Sequence, residues 1–284
     1  MRVLLLLLLL LLGACAPVDV LNGTTSRDGL TVVRDVPYGA TSRQRMDVWR
    51  PADAPGPLPV IVFFYGGAWQ SGARADYAFV AAPLARRGFV VVVPDYRLYP
   101  EASFPAFMED AAAAVAFARQ QAPAWGGDPA RLVLAGHSAG AHMAVLLALD
   151  RQYLVAAGSA PEQVAGVVGI AGPYDFLPIT MPDIRGVFGP LPDDRVTQPA
   201  SYALAGAGAA PPMLLIHGEH DRTVLPFNSL SLRRRLHEAG GRASAVMYPG
   251  VAHIGIVLGF SPLLRQASPV LDDTAAFAAA VPPR

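Results

Sequence analysis

The stretch from Leu132 to Leu149 restricts the possible folds of this chain more than any other. Leu132 to Ala135 is an apolar run of β type. Gly136-His137-Ser138-Ala139-Gly140 follows, and Ala141 to Leu149 is a helical run rich in Ala and Leu. The order is strand, sharp turn, helix, with a serine at the apex. Such a turn holds the serine in a sparsely populated backbone region while strand and helix close on each other. Gly136 and Gly140 remove the Cβ atoms that would collide at that approach. The Ser138 hydroxyl is lifted clear of the sheet, and the N–H of Ala139 points at whatever the hydroxyl attacks. The five residues alone would also suit a plain glycine-rich turn; the flanking strand and helix make Ser138 a candidate nucleophile.

The rest of the chain supplies a sheet for that turn. Val60 to Phe64, Phe89 to Val93, Val164 to Ile170 and Met213 to Ile216 are short continuous apolar runs, as expected of strands buried on both faces. Thr31 to Val36 and Gln44 to Trp49 are candidate edge strands, and Ala243 to Met247 is the last strand. Helical stretches alternate with them at about Ala75 to Arg87, stopped by Gly88, at Phe107 to Gln121, and at Ser229 to Ala239. Ser268-Pro269 reads as an N-cap followed by Pro at the first helical position, opening a last helix to about Ala280. Strands alternating with helices predict one α/β domain over residues 31–284, with a mostly parallel central sheet flanked by helices. Residues 172–212, rich in Pro and Gly and without a period, are expected to form a lid or substrate-facing insertion with a few short helices.

Composition narrows the function. Hydrophobic residues make up 53% of the chain, charged residues 15%, and the formal net charge is zero. That balance suits a large core and argues against disorder and against a nucleic-acid partner, which needs a basic face. Every basic residue is Arg, so no lysine nucleophile is available.

The N-terminus is a separate object. Met1-Arg2 precedes the apolar run Val3 to Leu12 and then Gly13-Ala14-Cys15. That run is about half of a membrane span, so residues 1–14 read as a secretory signal. Leu12-Gly13-Ala14-Cys15 resembles the bacterial lipoprotein signal, which implies that Cys15, the one cysteine, is lipidated. Residues 15–30, small and polar, then read as a tether. The expected place is a periplasm-facing membrane, the outer membrane by the residue that follows the cysteine, Ala16, with contact to the bilayer only through the lipid anchor.

A serine hydroxyl needs a base within hydrogen-bond reach and an acid to orient that base. In open α/β sheets such groups lie beyond the C-terminal ends of strands. Asp221 stands just beyond the Met213–Ile216 strand and His253 just beyond the last one, so the chain order is Ser138, Asp221, His253. Glu219 is the rival acid. Among rival histidines, His137 and His142 flank the nucleophile and are expected to pack locally, and His237 sits on an Arg-rich helix. His217, His220 and Asp221 crowd one loop without a helical His-x-x-x-His pair, so no metal site is predicted, and no cofactor. The substrate oxygen needs fixed donors. Ala139 supplies one N–H, and Gly67 and Ala68 in Tyr65-Gly66-Gly67-Ala68 are expected to supply the others. Tyr65 and Trp69 are candidate substrate contacts; Tyr65 reads alternatively as orienting the loop through its hydroxyl, and Trp69 reads equally as a pocket wall or a core anchor.

These residues together resemble the α/β-hydrolase superfamily. The likeness is to its carboxylesterases, of the hormone-sensitive-lipase-like and feruloyl-esterase-like branches, and it runs from about Val36 to the C-terminus. Asp95-Tyr96-Arg97-Leu98-Tyr99-Pro100-Glu101 is similar to their Asp-Tyr-Arg-Leu-Ala-Pro-Glu segment, and Gly136 to His142 is similar to the nucleophile segment of kynurenine formamidases. Three positions depart. Tyr65 stands in place of the usual His, Ala68 in place of the third Gly of His-Gly-Gly-Gly, and Tyr99 in place of Ala. The resemblance implies hydrolysis of a small short-chain or aryl ester through a Ser-His-Asp triad and an acyl-enzyme. Its alternatives are an aryl formamidase, a related peptidase, and a non-catalytic lipoprotein that binds a ligand on a hydrolase scaffold.

Overall fold

Eight strands form one sheet: β1 (Leu30–Pro37), β2 (Arg45–Pro51), β3 (Leu58–Phe64), β4 (Val90–Pro94), β5 (Gly127–His137), β6 (Gly166–Ile170), β7 (Met213–Gly218) and β8 (Ala243–Tyr248). Their spatial order is β1-β2-β4-β3-β5-β6-β7-β8. Only β2 runs antiparallel to its neighbours. This computed structural model describes residues 17–206, 208 and 210–284. Residues 1–14, expected to be a signal, and Cys15 lie outside the described residues. The sheet is that of the α/β-hydrolase fold, as the resemblance implied.

The continuous apolar runs occupy the middle of the sheet because both of its faces are covered. Val60 to Phe64 and Val90 to Val93 have no exposed surface. Among the described residues, ten helices surround the sheet: α1 (Pro17–Gly23), α2 (Ala78–Arg86), α3 (Ala106–Gln121), α4 (Ala139–Leu149), α5 (Arg151–Ala156), α6 (Pro182–Phe188), α7 (Pro199–Gly206), α8 (Phe227–Glu238), α9 (His253–Leu258) and α10 (Val270–Ala280). Every residue of α4 is buried. That explains its apolar sequence on all sides, the pattern of a helix enclosed by protein rather than lying at a surface.

Two expectations are corrected. The segment read as a bare tether holds α1. The Asn22 side chain donates to Ala75 O (3.0 Å) and accepts from Phe79 N–H (3.2 Å), and Leu21 is buried. Ser268 does not cap α10. Pro269 is the N-cap residue, and the Ser268 hydroxyl donates to Ile256 O (2.9 Å) in α9. A serine two residues before a helix has the cap chemistry, but here its hydroxyl is directed to an acceptor in α9.

Residues 172–212 carry α6, α7 and a turn of 3-10 helix at Asp194–Thr197. They are fastened by side chains from the body of the fold. Asn228 Oδ1 accepts from the N–H groups of Tyr174 and Asp175, both at 2.8 Å, and buried His142 donates from Nε2 to Thr197 O (2.7 Å).

Candidate active site

The turn after β5 is as tight as its glycines require. Ser138 sits at φ 55°, ψ −121°, and its N–H donates to Ile170 O (2.8 Å) in β6. A Cβ on Gly140 would lie 2.0 Å from Phe64 O, and one on Gly136 would lie 2.4 Å from Gly140 O. No side chain survives such approaches, so both positions need glycine for β3, β5 and α4 to meet. A non-glycine residue in the left-handed region costs energy that the surrounding structure must supply.

Three strand ends bring the expected partners together. The Ser138 hydroxyl donates to His253 Nε2 (2.9 Å), and His253 Nδ1–H donates to Asp221 Oδ2 (2.7 Å). The other Asp221 oxygen accepts the N–H groups of Thr223 and Val224, each at 2.9 Å. Asp221 is buried. Burial pushes its carboxyl upward, but hydrogen bonds from His217, His253 and the Val224 N–H outweigh that and hold it well below the usual carboxylate range. Glu219, the rival acid, is exposed.

The loop after β3 faces the serine. Gly67, Ala68 and Trp69 all have positive φ, and a Cβ on Gly67 would meet Ser71 O at 2.2 Å. Among the described residues, the N–H groups of Gly67, Ala68 and Ala139 donate to no protein acceptor. Ala68 tolerates the conformation that glycine would adopt freely, at a modest cost in backbone strain.

Tyr65 is not a substrate contact. Its ring is fully buried, stacked between Tyr77 and Tyr96. Its hydroxyl donates to Asp95 Oδ1 (2.9 Å) and accepts from Arg43 Nη2 (2.7 Å). Asp95 also holds Arg74 through the backbone N–H (2.6 Å) and the guanidinium. Tyr65 therefore braces the loop from behind. Trp69 faces both the core and a cavity. It is buried against Phe107, Phe188 and His142, and it lines a cavity beside Ser138.

Two cavities flank the serine. One, of about 400 Å³, lies under the 172–212 segment, walled by Trp69, Phe176, Leu177, Met181, Ile184 and Leu225. The other, of about 780 Å³, contains His253 and His137 and extends to Leu21 of α1. Ser138 and Ala68 line both.

Residues 46–236, spanning β2 to α8 and including Ser138 and Asp221, match the BD-FAE family. The chain belongs to the BD-FAE family. This BD-FAE chain is 29% identical over 262 residues to the isoprenylcysteine alpha-carbonyl methylesterase ICME of Arabidopsis thaliana, covering 85% of the present chain and 61% of that protein. It is 34% identical over 237 residues to esterase LipC of Mycobacterium tuberculosis, covering 78% and 59% respectively. It therefore spans about three fifths of the length of these two relatives. A hyperthermophilic esterase from Pyrobaculum calidifontis has the same fold, with a TM-score of 0.74 at 26% identity over 93% of this chain and 90% of that one.

Two histidines at the BD-FAE site hold the catalytic candidates in place, a part that the sequence does not show. His217 lies 3.3 Å from Asp221 Oδ2; its Nε2–H donates to Val224 O (2.9 Å), and the Ser229 hydroxyl lies 2.8 Å from its Nδ1. His137 donates from Nε2 to the backbone oxygen of His253 (3.0 Å), fixing the start of α9. Its position next to the nucleophile was the available signal.

His137 and His142 are both buried. Burial first, and then the facing His253 ring, push His137 down to about 3; burial pushes His142 down to about 4. Both values lie below the ordinary histidine value of about 6.5. Between the folded and unfolded values the unfolded chain binds more protons, so stability rises with pH. The contribution is complete above about pH 6.5 and is lost as pH falls toward 4 and then 3. Each histidine contributes about 1.4 kcal/mol per pH unit in that window. Urea midpoints should therefore fall steeply from pH 7 to pH 5, and more gently in His142→Gln. A midpoint flat over that range would refute this.

Proposed function

We propose that the chain hydrolyses carboxylic esters through Ser138, His253 and Asp221. The observation that carries this reading is the unbroken relay from Asp221 through His253 to a serine hydroxyl shared by two cavities. The names of the relatives support ester chemistry.

His253 Nε2 takes the Ser138 proton as Oγ attacks the ester carbonyl. The carbonyl oxygen becomes an oxyanion facing the N–H groups of Gly67, Ala68 and Ala139, donors already fixed in place before reaction. His253, now an imidazolium stabilised by Asp221, gives the proton to the leaving alcohol, and the carbon–oxygen bond breaks. Water then attacks the acyl-Ser138 ester, His253 again accepting and returning the proton. The products are the carboxylic acid and free serine. Asp221 keeps the ring in the tautomer with hydrogen on Nδ1, which leaves Nε2 free to accept.

A fluorophosphonate probe should label the full-length chain on Ser138, and a short-chain p-nitrophenyl ester should turn over faster than an aryl formamide. Absence of an adduct on folded protein would instead favour a non-catalytic binding module. Faster turnover of the formamide would move the substrate class to amides.

A further inference from the structure

The two cavities beside Ser138 divide the substrate. In ester cleavage at this serine, His253 Nε2 must return its proton to the leaving oxygen, so the leaving group lies on the side that holds His253. His253 lines the larger cavity and not the smaller. The acyl chain then extends into the smaller cavity beneath Phe176 and Met181, with the carbonyl carbon at the junction.

Part of the wall of the larger cavity comes from α1. Leu21 lines the cavity together with Tyr77, Phe79, Ile254, Val257 and Leu258. Among the described residues no arginine lines it, and Asp76 is the one carboxylate. Among the described residues an anionic leaving group would meet no arginine to pair with, whereas an uncharged apolar one would meet the carbon-rich faces of Leu21, Tyr77, Phe79, Val257 and Leu258. α1 is a fixed wall rather than a loose end. Asn22 ties it to Ala75 and Phe79, and the Thr25 hydroxyl donates to Leu21 O (2.8 Å).

We propose that α1 is a substrate-binding element and that Leu21 selects esters of bulky, uncharged, apolar alcohols or phenols. The proposal rests on the ester-hydrolase reading. It gives the segment next to the N-terminal signal a part in specificity in addition to any part as a tether.

The test compares kcat/KM for the 1-naphthyl and methyl esters of one carboxylic acid, using the full chain. Leu21→Ala should lower the naphthyl-to-methyl ratio by roughly five- to tenfold, from the apolar contact removed. Leu21→Met, which restores similar bulk, should recover most of it. An unmoved ratio in Leu21→Ala, or an equal fall on both esters with a lower Tm, would make α1 a structural strap and overturn the proposal. Turnover of neither ester by the wild-type chain would remove the ester-hydrolase reading as well, whereas turnover with an unmoved ratio removes this proposal alone.

Discussion

Replacing Ser138 or His253 with alanine is expected to lower kcat on a short-chain p-nitrophenyl ester by about 10⁴- to 10⁶-fold, with the double variant losing no more than either single one. The two side chains act as one unit. The Ser138 hydroxyl is nucleophilic only when Nε2 of His253, 2.9 Å away, takes its proton. Removing either side chain closes the same path. What remains is the rate that the Gly67, Ala68 and Ala139 N–H groups and simple binding provide to direct attack by water, roughly 10³- to 10⁴-fold over solution in comparable enzymes. The fold should survive both changes. His137 bonds the backbone oxygen of His253, not its ring, and Ser138 is held by its own N–H to Ile170 O. Near-UV circular dichroism should therefore match the wild type. Multiplicative losses, in which the double variant falls by the product of the two single effects, would show that serine and histidine act independently and would sink the relay.

The parts of this site that were legible in the sequence are those set by local backbone demands. Gly136 and Gly140 announce a close approach because no other residue fits where Cβ would meet Gly140 O or Phe64 O. Asp221 and His253 were readable because each follows a strand, and strand ends converge on one edge of a parallel sheet. The partners of the Tyr65 hydroxyl are not legible in the sequence because they are remote. Arg43 precedes β2, and Asp95 follows β4, so nothing near residue 65 signals that its hydroxyl is taken. The same holds for α1, too short for a helical period, which is held by Asn22 against residues more than fifty positions away. In the 172–212 segment the fastening groups are Asn228, Gln198 and His142, two of them outside the segment, so its helices α6 and α7 depend on tertiary bonds that local sequence does not encode.

Asp221→Asn is expected to leave the fold intact and lower kcat by about 10⁴-fold, the size of the effect when the equivalent acid is changed in a serine protease. The reason lies in how the carboxylate is surrounded. One oxygen accepts two backbone N–H groups, from Thr223 and Val224, and the other faces His253 Nδ1 at 2.7 Å and His217 Nε2 at 3.3 Å. Every neighbour is a donor. An asparagine must keep its carbonyl on the two backbone N–H groups, which leaves its NH₂ pointing at His253. That NH₂ donates to Nδ1 and drives the ring hydrogen to Nε2, the atom that should accept from Ser138. The hydroxyl then loses its base even though every heavy atom stays in place. The negative charge that stabilises the imidazolium is lost at the same time. His217 suffers the same mismatch, so the variant should also lose stability, by about 1–3 kcal/mol for a buried hydrogen-bonding site turned from acceptor to donor. The decisive measurement is kcat across pH with nitrogen-15 chemical shifts of the His253 ring. The shifts should report hydrogen on Nε2 in the variant and on Nδ1 in the wild type. A variant with near-normal kcat and an unchanged tautomer would require another acid for His253, and exposed Glu219 would then be the next residue to replace.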